Sequence, residues 1–331
     1  MAEPAVAAER LSKRFTVARR GAGFGAAVRA LIRRQNETVD AVLDLSLTIQ
    51  EGERVGLLGP NGAGKTTTLK MLAGLLHPSA GSLKVLGQVP KLRAPDFLRS
   101  IAMVMGHKRQ LSWDLPAVDT FELHRVIYDI ARADYQRRLD ELVTLLRAAD
   151  LIGKPVRTLS LGERMKCEMI AALLHSPRVL FLDEPTLGMD VSMQLALREF
   201  IRRYNEEQGA TVVLTSHYME DVAALCPRVV VIDGGRLRFD GEIGELTRRI
   251  RPRRRIHVAA DRIPEQAVLA RFGEVIERDD ARLVLDVTPD AVARVVPELL
   301  ALPGSRELVV RDAPLEEVMR ELFDRSQGKS V

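Results

Sequence analysis

Gly59-Pro60-Asn61-Gly62-Ala63-Gly64-Lys65-Thr66 is the stretch on which the reading of this chain turns. Ahead of it, residues 53–59 (Glu-Arg-Val-Gly-Leu-Leu-Gly) are short and apolar enough for a buried strand. Behind it, the run from Gly64 to Leu75 predicts a helix closed near Gly74. Strand, glycine loop and helix in that order match the G-x-x-x-x-G-K-[ST] arrangement, whose glycines let successive backbone N–H groups converge on phosphate oxygens. Residues Gly59, Pro60, Asn61, Gly62, Ala63 and Gly64 form the expected cradle. Lys65 is placed to neutralise the β- and γ-phosphates, and Thr66 to put its hydroxyl on Mg2+, with Thr67 joining the phosphate-binding set. The helix that begins there adds its positive N-terminal end to the same anion site.

A second strand is expected at Val179-Leu180-Phe181-Leu182, an unbroken apolar run of the kind that lies buried on both faces of a parallel sheet. It ends in Asp183-Glu184. An Asp at the carboxyl end of such a strand suits Mg2+, and an adjacent Glu can polarise the water that attacks a γ-phosphate. Together with the loop, the pair predicts a P-loop ATPase, a description that fits many unrelated machines.

Leu159-Ser160-Leu161-Gly162-Glu163, just upstream of that strand, resembles the signature sequence of ABC ATPases. The usual form is L-S-G-G-Q, so Leu161 and Glu163 are departures. Ser160 can cap the helix running toward His175, with Glu163 reaching back as the partner of a capping box. The same free N–H groups and hydroxyl, with Gly162 in the turn, can also face a γ-phosphate held by another subunit, and both readings are compatible. The resemblance extends over about residues 1–240 and implies further roles. Phe15 falls where the family stacks an aromatic on adenine, simple packing being the alternative. Gly188-Met189-Asp190 resembles the loop that communicates between the two sites of a dimer. His217, at the end of the strand Thr211–Ser216, matches the switch histidine that contacts the γ-phosphate and supports Glu184. The family's metal-contacting Gln, in the loop after the strand Ile101–Met105, falls on His107, with Gln110 close by as the alternative. A histidine there titrates near neutrality and predicts some loss of activity below about pH 6.5.

The resemblance implies an α/β fold: a P-loop ABC ATPase domain over residues 1–245, with a mixed sheet and a helical subdomain over about 107–175. A small α+β accessory domain over 246–331 follows, its strands expected near Ile256–Ala260, Leu283–Val287 and Glu307–Val310 and a helix at Leu315–Phe323. ATP and Mg2+ are the implied cofactors. The implied assembly is a homodimer, or a dimer with a related subunit, closing on two ATP molecules to drive a separate integral-membrane permease in the manner of drug exporters. The permease is expected to dock on the helix-rich stretch from Leu115 to Leu159, beside the single tryptophan, Trp113, which core packing would equally explain.

The remaining features bound this reading. A length of 331 residues allows roughly two domains, and 46% hydrophobic with 28% charged residues is the composition of a folding, globular chain. No run approaches the roughly 20 apolar residues of a membrane span, and the N-terminus lacks the apolar core of a signal peptide. The expected location is therefore the cytoplasm, against the inner face of the membrane through the permease. Cys167 and Cys226 lack metal-ligand spacing and read as buried thiols. Residues 18–35 interrupt the first hairpin, with Phe24, Val28, Leu31 and Ile32 at helical spacing among arginines. That pattern suits a basic amphipathic helix on lipid, on the permease or on its own domain. The run Arg248, Arg249, Arg251, Arg253, Arg254 and Arg255 reads as a linker. The same arginines would serve an alternative, an ABC ATPase acting on nucleic acid or ribosomes. Against it, the chain carries one ATPase set and no long coiled coil, so no nucleic-acid partner is expected. A regulator that has lost turnover would explain Leu161, Glu163 and His107, but Lys65, Asp183, Glu184 and His217 are all in place.

Overall fold

In the computed structural model, which describes residues 3–18, 36–106 and 110–326, the chain divides into two compact units, Met1–Asp240 and Gly241–Val331. The first unit opens with an antiparallel hairpin of β1 (Val6–Ala18) and β2 (Asn36–Ile49), whose ends Ala18 and Asn36 pair across the ladder. The amphipathic helix expected between them, with Phe24, Val28, Leu31 and Ile32, lies outside the described residues. Next come β3 (Arg54–Leu58), α1 (Lys65–Leu72) and β4 (Ala80–Val85), the last pairing with β1 to give a sheet in the order β2-β1-β4. A short helix, α2 (Pro95–Ser100), leads into β5 (Ile101–Met105). The helical stretch follows as α3 (Ala117–Ile127), α4 (Arg132–Leu145) and α5 (Leu161–Leu173). The chain then returns through β6 (Val179–Asp183), α6 (Val191–Gln208), β7 (Thr211–Thr215), α7 (Met219–Leu225), β8 (Arg228–Asp233) and β9 (Arg236–Glu242).

Every residue of β6 and β7 is buried, as their continuous apolar runs require of strands covered on both faces. They form the middle of a sheet with the order β5-β6-β7-β3-β8-β9. Parallel pairing sets Met105 opposite Asp183, and Asp183 opposite Thr215, so the carboxyl ends of β5, β6 and β7 share one edge. Ligands of open α/β sheets bind outside that edge, where the connecting loops emerge. Behind it, Leu57, Leu69, Phe97, Phe181 and Val213 belong to one buried cluster. Each such side chain contributes about 1.5–3 kcal/mol by leaving water. Cys167 and Cys226 are buried and unpaired, and burial pushes both thiols up to about 12. Trp113 is 40% exposed, so it is not a core residue.

The second unit comprises α8 (Ile243–Ile250), β10 (Arg254–Ala259), α9 (Gln266–Leu269), β11 (Glu274–Arg278), β12 (Arg282–Val287), α10 (Pro289–Leu300), β13 (Glu307–Asp312) and α11 (Leu315–Ser326). Its antiparallel sheet runs β11-β12-β10-β13 over its own core of Ile256, Val258, Leu283, Leu285 and Leu299. The arginine run is not a linker. Arg248 and Arg249 end α8, while Arg251 and Arg255 bind the carboxylates of Asp286 and Glu317, with Asp286 and Arg255 buried. Arg253 pairs with Glu274 and Arg254 with Asp312. The like charges of Arg251, Arg253, Arg254 and Arg255 are accommodated because carboxylates face them, Asp286 and Glu317 shared by Arg251 and Arg255, Glu274 on Arg253 and Asp312 on Arg254.

Candidate active site

The glycine loop is pressed from behind by the first hairpin. Gly64 has φ 104°, and a Cβ on it would stand 2.3 Å from the Ala41 carbonyl of β2, so only glycine fits. Helix α1 then starts at once, with the backbone N–H and the hydroxyl of Thr68 both donating to the Gly64 carbonyl at 2.8 and 2.9 Å. Lys65, only 7% exposed, folds its ammonium back onto the loop and donates to the carbonyls of Gly59 (2.6 Å) and Pro60 (3.1 Å). Burial lowers the pKa of that ammonium, while the nearby charges of Glu184 and Asp183 oppose the shift. Asn61 and Gly62 are exposed, Ala63 is buried, and Thr66 and Thr67 are half-buried. Phe15 lies half-buried on β1 opposite Val39, two residues along β2 from Ala41, with the Lys13 ammonium 5.2 Å from its ring centroid. It therefore sits on the hairpin that borders the loop.

Asp183, at the end of β6, is 1% exposed. Its Oδ1 accepts from the Thr66 hydroxyl (3.0 Å) and the Thr215 hydroxyl (2.7 Å), whereas its buried Oδ2 has no hydrogen-bond partner. A buried carboxylate oxygen left alone is costly and calls for a cation or water. A hydroxyl beside one free carboxylate oxygen suits Mg2+, which takes few protein ligands and completes its shell with water and substrate phosphate. Among the described residues no group of three or more His, Cys, Asp or Glu forms a ready metal cage.

Glu184 adopts φ 55°, a left-handed conformation that costs a non-glycine residue about 1–3 kcal/mol and recurs at functional sites. Its N–H is held by the carbonyl (3.0 Å) and hydroxyl (3.1 Å) of Thr215. This backbone turn carries the carboxylate to His217, whose Nε2 is 2.9 Å from Glu184 Oε1.

Gln110 does not join this group. Its backbone N–H donates to the buried Glu168 carboxylate at 3.1 Å, and its side-chain amide donates to the Met103 carbonyl at 2.7 Å, against the outer strand β5. A metal contact from Gln110 would require its amide to leave the Met103 carbonyl and swing in. His107, the other candidate, lies outside the described residues.

A second cluster gathers around the start of α5. The Glu163 N–H donates to Ser160 Oγ (3.3 Å) and the Ser160 N–H donates to Glu163 Oε2 (2.8 Å), the capping box the sequence predicts. Those bonds from Ser160 hold the Glu163 carboxyl below its ordinary range. Gly162 faces Met193 of α6, and Leu161 leans on Gly188. Asp190 caps α6, accepting from the Met193 N–H at 2.9 Å. Among the described residues, no hydrogen bond links the Ser160–Glu163 turn to the Gly59–Thr66 loop.

Sequence reasoning passed over Thr215, which touches both Asp183 and Glu184, and Asp221, which is buried and accepts from the hydroxyl of Ser216, the residue before His217. Thr215 is marked out only by pairing: it ends the strand that lies in register with β6, opposite Asp183.

A glycine-lysine loop, a buried Mg2+-type aspartate and a glutamate–histidine pair on one sheet edge define a P-loop nucleoside triphosphatase. The model of the ABC transporter family matches residues 42–187, and that of the EvrA-like ABC transporter C-terminal domain matches residues 252–302. The ABC transporter ATP-binding protein NatA of Bacillus subtilis is 35% identical over 212 residues, covering 64% of this chain and 86% of that protein. The Nod factor export ATP-binding protein I of Ralstonia nicotianae is 33% identical over 318 residues, covering 92% and 97%. Among solved structures, the ATP-binding subunit of an ABC transporter superposes with a TM-score of 0.60 at 25% identity, over 74% of this chain and 92% of that one. The chain belongs to the ATP-binding proteins of ABC transporters, and it binds and hydrolyses ATP. No helix among the described residues is long and apolar enough to cross a membrane.

Proposed function

We propose that this chain powers an exporter by closing, as a homodimer or with a related subunit, on two molecules of Mg-ATP. The loop Gly59–Thr67 grips the phosphates, and Lys65 exchanges the carbonyls of Gly59 and Pro60 for phosphate oxygens. Phe15 stacks on the adenine. Ser160, Gly162 and Glu163 of the opposite subunit close the pocket over the γ-phosphate, and Asp190 lies in the loop between the two pockets. Glu184 polarises the attacking water, and His217 holds Glu184 and contacts the γ-phosphate. Thr66 and Asp183 are the groups that hold Mg2+, which when bound offsets phosphate charge. Catalysis of this kind is mostly positioning and charge stabilisation of a transferring phosphoryl group.

The observation that carries this reading is the 2.9 Å contact between Glu184 and His217 beside the unpartnered Asp183 Oδ2. Export is favoured by the relative from Ralstonia nicotianae, which is named for Nod factor export. A cavity of about 450 Å³ lined by Leu75, Leu98, Met103, Ile127, Tyr128 and His175 offers the permease's cytoplasmic helix an apolar seat. Ile127 on its rim is 61% exposed. Through that seat the chain is held at the inner face of the membrane. Residues 1–245 carry the motor and residues 246–331 an accessory domain. Four arginines of the run that would serve nucleic acid, Arg251, Arg253, Arg254 and Arg255, are instead matched to carboxylates.

Glu184→Gln tests the assignment. With saturating Mg-ATP the variant should retain bound nucleotide, sediment as a dimer and show turnover reduced by roughly 100-fold or more. Normal hydrolysis by that variant would overturn the role given to Glu184.

A further inference from the structure

Asp221 also carries a buried carboxylate in the active-site region, and the proposed chemistry makes no use of it. It sits in α7 and is 0% exposed. Its Oδ1 accepts from Arg198 Nε of α6 at 2.6 Å. Its Oδ2 accepts from the Ser216 hydroxyl at 2.8 Å and from the Thr186 hydroxyl. Ser216 Oγ in turn accepts from the Tyr218 N–H at 3.0 Å.

These bonds have a particular distribution. Ser216 and Tyr218 flank His217, so both sides of the histidine are fixed to the same hydroxyl. Thr186 lies two residues after Glu184, in a turn closed by the Leu187 N–H donating to the Glu184 carbonyl at 3.2 Å. One carboxylate therefore ties the segment that presents the histidine to the segment that presents the glutamate. Arg198 anchors both to the helix capped by Asp190. A buried carboxylate needs a cation and donors to offset its desolvation. Arg198 alone would meet the charge requirement. The two hydroxyls add no charge, and both come from segments adjoining the Glu184–His217 pair, whose own side chains are partly open to solvent.

We propose that Asp221 is a positioning residue for ATP hydrolysis, clamping the Ser216–Tyr218 segment to the Thr186 turn so that His217 and Glu184 keep their spacing. The inference rests on the roles given to those two residues above. Misplacement of a catalytic group by about 1 Å can cost on the order of 100-fold in rate without any loss of binding.

The test uses the full chain, and its first variant leaves the ion pair intact. A Thr186→Val, Ser216→Ala double variant removes only the two hydroxyls, and Asp221→Asn disturbs the whole clamp. ATPase kcat and KM, the affinity for a fluorescent ATP analogue and the melting temperature are measured for each. The double variant should lose at least about 10-fold in kcat while nucleotide affinity stays within about 2-fold, and Thr186→Ser, Ser216→Thr, which restores both hydroxyls, should recover most of the rate. Unchanged kcat in the double variant, a parallel fall of kcat and affinity, or no recovery by the hydroxyl-restoring pair overturns the clamp. Glu184→Gln measured alongside separates the two failures. If it still hydrolyses ATP, the underlying reading fails and the clamp with it; if it is inactive and the double variant is normal, the clamp alone fails.

Discussion

Asp183 offers one satisfied oxygen and one left over, and that asymmetry can be probed directly. Asparagine keeps the acceptor for Thr66 and Thr215 but turns the free oxygen into an N–H2 that repels a cation. Asp183→Asn should therefore fold normally, bind ATP with an affinity that no longer rises when Mg2+ replaces EDTA, and turn over roughly 100-fold slower or worse. Titration of nucleotide with and without Mg2+ checks this, and a variant that still gains affinity from Mg2+ would remove Asp183 from the metal site. At this scale the sequence was informative wherever residue type and spacing act together, as in Gly59–Thr66, Asp183-Glu184 and Ser160–Glu163. It was silent on Thr215, because a threonine in a buried strand is an ordinary β-former until its neighbour is known. Gln110 stands apart from the phosphate site for a definite reason: the Glu168 carboxylate, buried beneath the loop, requires donors and takes the N–H groups of Gln110 and Leu111. That draws the chain over it and turns the amide toward β5.

Among the elements, α5 does two things at its first turn, and its cap allows them to be separated. Ser160→Ala removes the N-cap acceptor and should cost about 0.5–2 kcal/mol, visible as a lower melting temperature. Ser160→Asp keeps a good cap, so its melting curve should overlie that of the wild type, yet it points a negative charge toward an incoming γ-phosphate and should depress ATPase activity strongly. Calorimetry paired with an ATPase assay decides the matter: an aspartate variant with full activity would leave Ser160 a helix cap and nothing more. Strands β6 and β7 were legible as unbroken apolar runs, and α5 from its cap. Strand β11 was not, because Glu-Val-Ile-Glu-Arg is an exposed edge with only a partly buried Val275 and Ile276 to mark it. The arginine run misled for a related reason, since charge density in sequence does not reveal that the sheet brings Asp286, Glu274 and Asp312 against it, and the last helix Glu317.

For the whole molecule, two separate buried clusters accompany the two units, and each could be anticipated from a change in patterning near the arginines. What no single chain's sequence exposes is how its parts are shared out between copies. Among the described residues the phosphate loop and the Ser160 turn share no hydrogen bond, and in the proposed dimer each would serve a different pocket. Two defective alleles should then complement. A Lys65→Ala chain and a Ser160→Asp chain are each inactive as homodimers, but when they are co-expressed, a hybrid dimer assembles one wholly intact pocket and one doubly damaged one. Purified through different tags on the two chains, that hybrid should hydrolyse ATP where neither parent does. An inert hybrid would mean either that both pockets must fire together or that the two halves never meet.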